Sequence, residues 1–258
     1  MSLITSHGTG IGSVLCALRA AEEEEEHGQK TRPAREPAPF ITISRQPGIS
    51  TDAFATHLAT RLGTPSAPWK VWERELIEKV AADHHMATEV VAALGRSGRT
   101  WFDDFVRGLT ISAGPPEELA VYRGVAAAIR ALAQAGKAII IGRGAVHITA
   151  NMPGGVHVRL VAPWGYRVWR LADELGVSRD EAAKEIQRLE HEREQFYRRY
   201  WQHHAPTPEV FSVTLNAVAG DAEHLAECVL PLVEAATARA QQPRCGHEYV
   251  ELAVGARK

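Results

Sequence analysis

Cysteine is scarce in this chain. Cys16, Cys228 and Cys245 are three in 258 residues, and no two share a CxxC or other metal-binding spacing. That excludes a disulfide framework and makes the reducing cytoplasm the expected compartment. Long apolar runs are missing as well. The "AIII" stretch at 138–141 is far shorter than the roughly 20 residues a bilayer-spanning helix needs, and the early acidic run "AEEEEE" is unlike a secretory leader. Charge of one sign is also lacking. A formal net charge of -2 and a pI near 6.6 supply no global attraction to a nucleic acid polymer or an anionic membrane. Anion binding must therefore come from local clusters of arginine. The paired histidines His84–His85 and His203–His204 are adjacent, and adjacent helical side chains point about 100° apart. They do not suit one ion, so no metal site built from protein ligands alone is expected.

What is present is ordered. Residues 1–38 pass from a Gly-containing start through five glutamates into a segment with Pro33 and Pro37, a composition expected of a solvated appendage. From residue 39 to 238 the pattern becomes regular, and 239–258 reads as a tail. "FITI" at 40–43 is a buried-strand run, and Ala55, Leu58, Ala59 and Leu62 recur at helical spacing before Gly63 and Pro65 end that helix. "WKVW" reads as a second strand, "RELIEKVAADHH" as a helix, and "GRSGRTWFDDF" as a polar connection. A helix over 117–135, strands in "KAIIIGRGA" and "GVHVRLVAP", helices at 164–175 and 179–200, a strand in "FSVTLNA" and a helix at 221–239 follow. Alternating strands and helices predict a three-layer α/β/α domain around a parallel sheet. In such folds ligands bind beyond the carboxyl ends of the strands, where "SRQPGIST" and "GRGA" fall. The six tryptophans, at 69, 72, 101, 164, 169 and 201, are expected to pack in the core or between subdomains.

The stretch after "FITI" has the layout of a phosphate loop, with a strand before it, a helix after it and Gly48 inside it. It has no loop lysine: on a GxxxxGK[ST] pattern, Ser50, Thr51 and Asp52 stand where Gly, Lys and Ser/Thr would be. The motif alone is therefore weak. The wider sequence resembles the cytidylate-kinase-like proteins among the nucleoside monophosphate kinases. The resemblance lies in "ITISRQPG", "VWERELI", "GRGA" at 142–145, "HVRLVAP" at 157–163, the run "EIQRLEHEREQFYRRYW" and "VTLNA" at 213–217, in order over about residues 40–235.

This resemblance implies a P-loop kinase fold with a helical lid, and transfer of the ATP γ-phosphoryl group to CMP or dCMP with Mg2+ carried on the nucleotide. Its partners would be small nucleotides. By the same resemblance, Arg45, Gly48, Ser50, Thr51 and Asp52 would form the donor-phosphate loop, with Arg45 standing in for part of the missing lysine charge. Glu73 and Arg74 would border the acceptor nucleotide, and Arg143 would face the acceptor phosphate. Arg188, Arg193, Arg198 and Arg199 would supply lid cations, whose planar forks grip phosphate oxygens.

Several positions depart from the family pattern. Ser50 and Thr51 replace two glycines, which predicts a loop strained at positive φ. Asp52 replaces an arginine, and it either caps the helix or helps to hold magnesium. Glu190 stands where an aspartate is usual, and Gly95 where an acidic triplet is common. A non-catalytic nucleotide- or phosphate-binding member, acting as sensor or partner, is the alternative these departures leave open. Transfer to another small phosphate acceptor is a third reading.

Overall fold

The computed structural model describes residues 38–73, 116–201 and 206–241. The predicted helix in "RELIEKVAADHH", the connection "GRSGRTWFDDF", Arg74, Gly95, Trp101 and both histidine pairs lie outside these residues.

Five strands form one parallel sheet in the order β2-β3-β1-β4-β5. They are β1 (Phe40–Arg45), β2 (Lys70–Trp72), β3 (Ala138–Ile141), β4 (Gly155–Val161) and β5 (Val213–Asn216). The helices are α1 (Asp52–Leu62), α2 (Pro116–Ala135), the single turn α3 (Ala145–Ile148), α4 (Trp164–Leu175), α5 (Arg179–Trp201), α6 (Ala222–Glu227) and α7 (Leu230–Gln241). The architecture is the three-layer α/β/α sandwich that the alternating pattern predicts. Among the described residues, no helix is long and apolar enough to cross a membrane.

Strand alternation divides the core in two. Ile41 and Ile43 of β1, with Ile139, Val156 and Val158, face α1, α6 and α7. Phe40, Trp72 and Ile140 turn to the other face, where α2 packs with Tyr122, Ile129 and Leu132. On this second face the carboxyl half of β1 is polar: Thr42 and Ser44 are buried there. That polar patch is the floor over which α5 lies.

Two details differ from the expected elements. The predicted helix at 221–239 is broken between α6 and α7. Pro231 has no N–H to give to the carbonyl four residues earlier, so the helix cannot run on through Cys228 and Val229. Gly63 ends α1 in an extended conformation, φ -86°. A Cβ there would lie 2.7 Å from the Ala59 oxygen, so space rather than left-handed backbone calls for glycine.

Candidate functional site

The loop from Arg45 to Asp52 leaves the carboxyl end of the central strand and turns at Gly48, φ +85°. A Cβ on Gly48 would come within 2.7 Å of the Arg167 carbonyl oxygen, so the loop backs directly onto α4. The strain predicted at Ser50 and Thr51 is absent. Thr51 has φ -114°, and Lys137 and Arg143 are the described non-glycine residues at positive φ. The loop turns once, at Gly48, and reaches the helix without further left-handed backbone. Nor does Asp52 cap α1 through its side chain. Thr51 holds the N-cap position with no side-chain cap bond, and the Asp52 N–H donates to the Ser50 hydroxyl at 3.4 Å. Asp52 is exposed in the first turn, where its charge suits the helix dipole.

Three successive left-handed residues, Gly142 (φ 77°), Arg143 (φ 53°) and Gly144 (φ 70°), close the end of β3. Glycine accepts this region freely, whereas an arginine held there costs on the order of 1–2 kcal/mol. Gly144 lies against the rings of Tyr122, Phe196 and Trp201. These belong to an aromatic cluster that fastens the carboxyl end of α5. Tyr122 and Tyr200 stack at 3.9 Å, and His147 and Trp201 at 4.9 Å. The Trp201 indole N–H donates to the Tyr122 hydroxyl at 3.1 Å.

Further along α5, Arg193 crosses to the sheet. It donates to the Arg45 carbonyl at 2.6 Å and to the Ser44 hydroxyl at 2.8 Å, and lies 5.7 Å from the Tyr197 ring centre. Between this contact and the Gly142–Gly144 turn is a water-sized slot lined by Thr42, Ser44, Gly142, Gly144 and the buried Tyr197. The other lid arginines sit differently. Arg188 pairs with Glu185 at 2.6 Å and with Glu192, and Arg198 with Glu194 at 2.7 Å, all on α5 itself. Arg199 is exposed on the same helix, and Glu73 is exposed just past β2.

Sequence reasoning did not single out Arg167. It is buried on α4, donates to the Ala162 carbonyl at 3.2 Å and the Pro47 carbonyl at 3.4 Å, and pairs with Glu190 at 2.7 Å. One guanidinium thus ties the β1–α1 loop, α4 and α5 together. No local pattern marks it, because its partners lie 120 residues before and 23 residues after it. Below the lid, His157 accepts or donates at 2.8 Å with Thr42. Burial, with a contribution from His147, pushes its pKa down to about 4, so the ring is neutral at physiological pH.

Comparison with known proteins places this geometry in a family. The model of the cytidylate kinase-like family matches residues 40–218, most of the chain. The chain belongs to the cytidylate kinase-like family. Membership supports a nucleotide kinase-like function with small nucleotides as substrates, and family members generally use ATP with Mg2+. The cytidylate kinase-like chain is also similar to a solved structure of an uncharacterized protein from Eubacterium ventriosum. The TM-score is 0.59 at 17% identity, over 76% of this chain and 98% of the other, a likeness of fold. No curated protein matches it.

Proposed function

We propose that the chain transfers the γ-phosphoryl group of ATP to a nucleoside monophosphate, CMP or dCMP, giving ADP and the nucleoside diphosphate. The observation that carries this reading is the reach of Arg193 from the lid helix to the end of the central strand, at Ser44 and Arg45. A cation there stands between the Gly48 loop and the Arg143 turn, the two places where donor and acceptor phosphates would approach each other. Arg45, Gly48, Ser50 and Thr51 border the donor, Arg143 the acceptor phosphate, and Glu73 and Arg74 the acceptor nucleotide. Arg188, Arg198 and Arg199 line a lid that adds charge as it closes. The unit is residues 39–238, acting in the cytoplasm without a nucleic acid polymer or membrane as partner.

Phosphoryl transfer asks little covalent work of the protein, since positioning and charge neutralisation supply most of the rate. The acceptor monophosphate is mostly dianionic near pH 7, with a second pKa of about 6. It can attack without a general base, which suits a site whose prominent groups are arginines. Among the described residues no three His, Cys, Asp or Glu side chains converge to hold a metal ion. Magnesium would enter held mainly by the nucleotide phosphates. The exposed Asp52 is the acidic residue of the loop and would be its protein contact. Bound there, magnesium would neutralise charge on the transferring group.

Purified protein supplied with Mg-ATP and each nucleoside monophosphate in turn should form CDP or dCDP. Arg143→Ala should lower kcat/KM about 100-fold or more. No diphosphate from any acceptor would end this reading.

A non-catalytic nucleotide-binding member is the second reading, favoured by the water-sized slot under Tyr197 and by Ser50, Thr51 and Asp52 in the loop. Calorimetric binding of nucleotide without turnover supports it, and turnover eliminates it.

A further inference from the structure

Strands β1 and β4 pair in parallel with Thr42 opposite His157 and Ser44 opposite Arg159. The Thr42–His157 contact at 2.8 Å puts that pair on the face beneath α5. Two residues further on, Ser44 and Arg159 share the same face. Arg193 descends onto this point from the lid and donates to Ser44 at 2.8 Å. Two arginines, one rooted in the sheet and one in the lid, therefore stand on the same face at the carboxyl ends of the central strands, near enough for each charge to act on the other.

Arg167, Arg188 and Arg198 each have a carboxylate within 2.7 Å, whereas among the described residues Arg159 and Arg193 pair with none. Arg159 donates to the Pro206 carbonyl at 3.1 Å and lies 5.4 Å from the Phe211 ring centre. Its Nε is buried with no hydrogen-bond partner among the described residues. Burial first, and repulsion from Arg193 second, lower the proton affinity of its guanidinium. Two close, partly desolvated cations with spare donors are unfavourable alone and match the charge and geometry of a phosphate group.

We propose that Arg159 and Arg193, with the Ser44 hydroxyl, form a phosphate seat under the lid for a phosphorylated small molecule. Arg159 is the new member, supplied by the sheet rather than by the loop or the lid. The identity of the molecule rests on the kinase reading, but the seat does not require turnover.

The test uses the full chain with inorganic pyrophosphate and inorganic phosphate, no nucleotide being present, followed by calorimetry. Wild type is expected to bind, and Arg159→Gln to bind about tenfold or more weakly, as loss of charge-assisted bonds implies. Arg159→Lys keeps the charge, loses the fork and should fall between them, and it carries the test if the glutamine variant fails to fold. Arg239→Gln, on α7 across the sheet, should match wild type. A purely structural Arg159 would lower the ligand-free melting temperature and leave pyrophosphate affinity unchanged; that result overturns the proposal. So does a wild type that binds neither anion. Anion binding without diphosphate formation would overturn only the kinase reading.

Discussion

At the residue scale, the environment of a side chain decides its role more than its identity does. His157 shows this through pH. Its pKa is about 4 in the folded protein and about 6.5 in the unfolded chain. Between these values the unfolded state binds the extra proton, so stability falls as pH drops from about 6.5 toward 4. The full effect is on the order of 3 kcal/mol. Denaturant melts of His157→Gln should lose part of that acid sensitivity, and an unchanged pH profile would show that another group is responsible.

Glycines divide in the same way. Gly48→Ala meets both a φ of +85° and the Arg167 carbonyl 2.7 Å away, whereas Gly142→Ala meets only its φ of +77°. Thermal unfolding should show a loss of about 1–3 kcal/mol or more for Gly48→Ala and about 1 kcal/mol for Gly142→Ala. Equal losses would mean that the loop does not rest on α4.

At the scale of elements, Arg167 links the loop to the lid. Glu190→Gln leaves a buried guanidinium facing a neutral amide. Since Glu190 is itself 41% exposed, a loss of about 1 kcal/mol is expected. Glu192→Gln breaks a pair exposed on both sides within one helix and should cost no more than about 0.5 kcal/mol. Urea denaturation of both variants checks the ranking, and a larger loss for Glu192→Gln would remove the proposed linkage.

Most of the described elements were legible, the break between α6 and α7 excepted. The apolar, β-branched run "FITI", the helical recurrence of Ala55, Leu58 and Leu62, and glycines flanking Arg143 are all local signals. What stayed hidden depends on pairings distant in sequence. The meaning of Arg159 comes from its register with Ser44, and that of Arg167 from Pro47 and Glu190. Trp164 and Trp169, expected to pack, are instead 41% and 50% exposed. Both lie on α4 where the helix faces solvent, and Trp164 lies 5.1 Å from the Arg167 guanidinium.

For the whole molecule, the family match ends at residue 218, yet the sheet is not covered there. Leu225, Val229 and Val233 from the segment that follows are buried against Ile41, Val156 and Val158. Each such side chain contributes about 1.5–3 kcal/mol by its burial. Their sum rivals the total stability of an ordinary domain, roughly 5–15 kcal/mol. A chain ending at residue 218 should therefore lose its cooperative thermal transition, and one ending at 241 should keep it. A cooperative melt from the shorter chain would place the boundary of the folding unit before α6.

The long helix α5 is held along its whole length. From Tyr197 to Trp201 it is clamped by aromatic stacking, in the middle by Arg193 on Ser44 and Glu190 on Arg167, and near its start by Ala182 and Ile186, buried against Val168 and Leu171 of α4. A helix rises about 1.5 Å per residue, so the stretch from Arg179 to Tyr197 is roughly 27 Å long, and α4 is joined to it by these contacts. A displacement of α4 with α5 would have to break the Arg167 and Arg193 bonds, and it would change the surroundings of the exposed Trp164 and Trp169. The emission wavelength of those two indoles would report such a displacement.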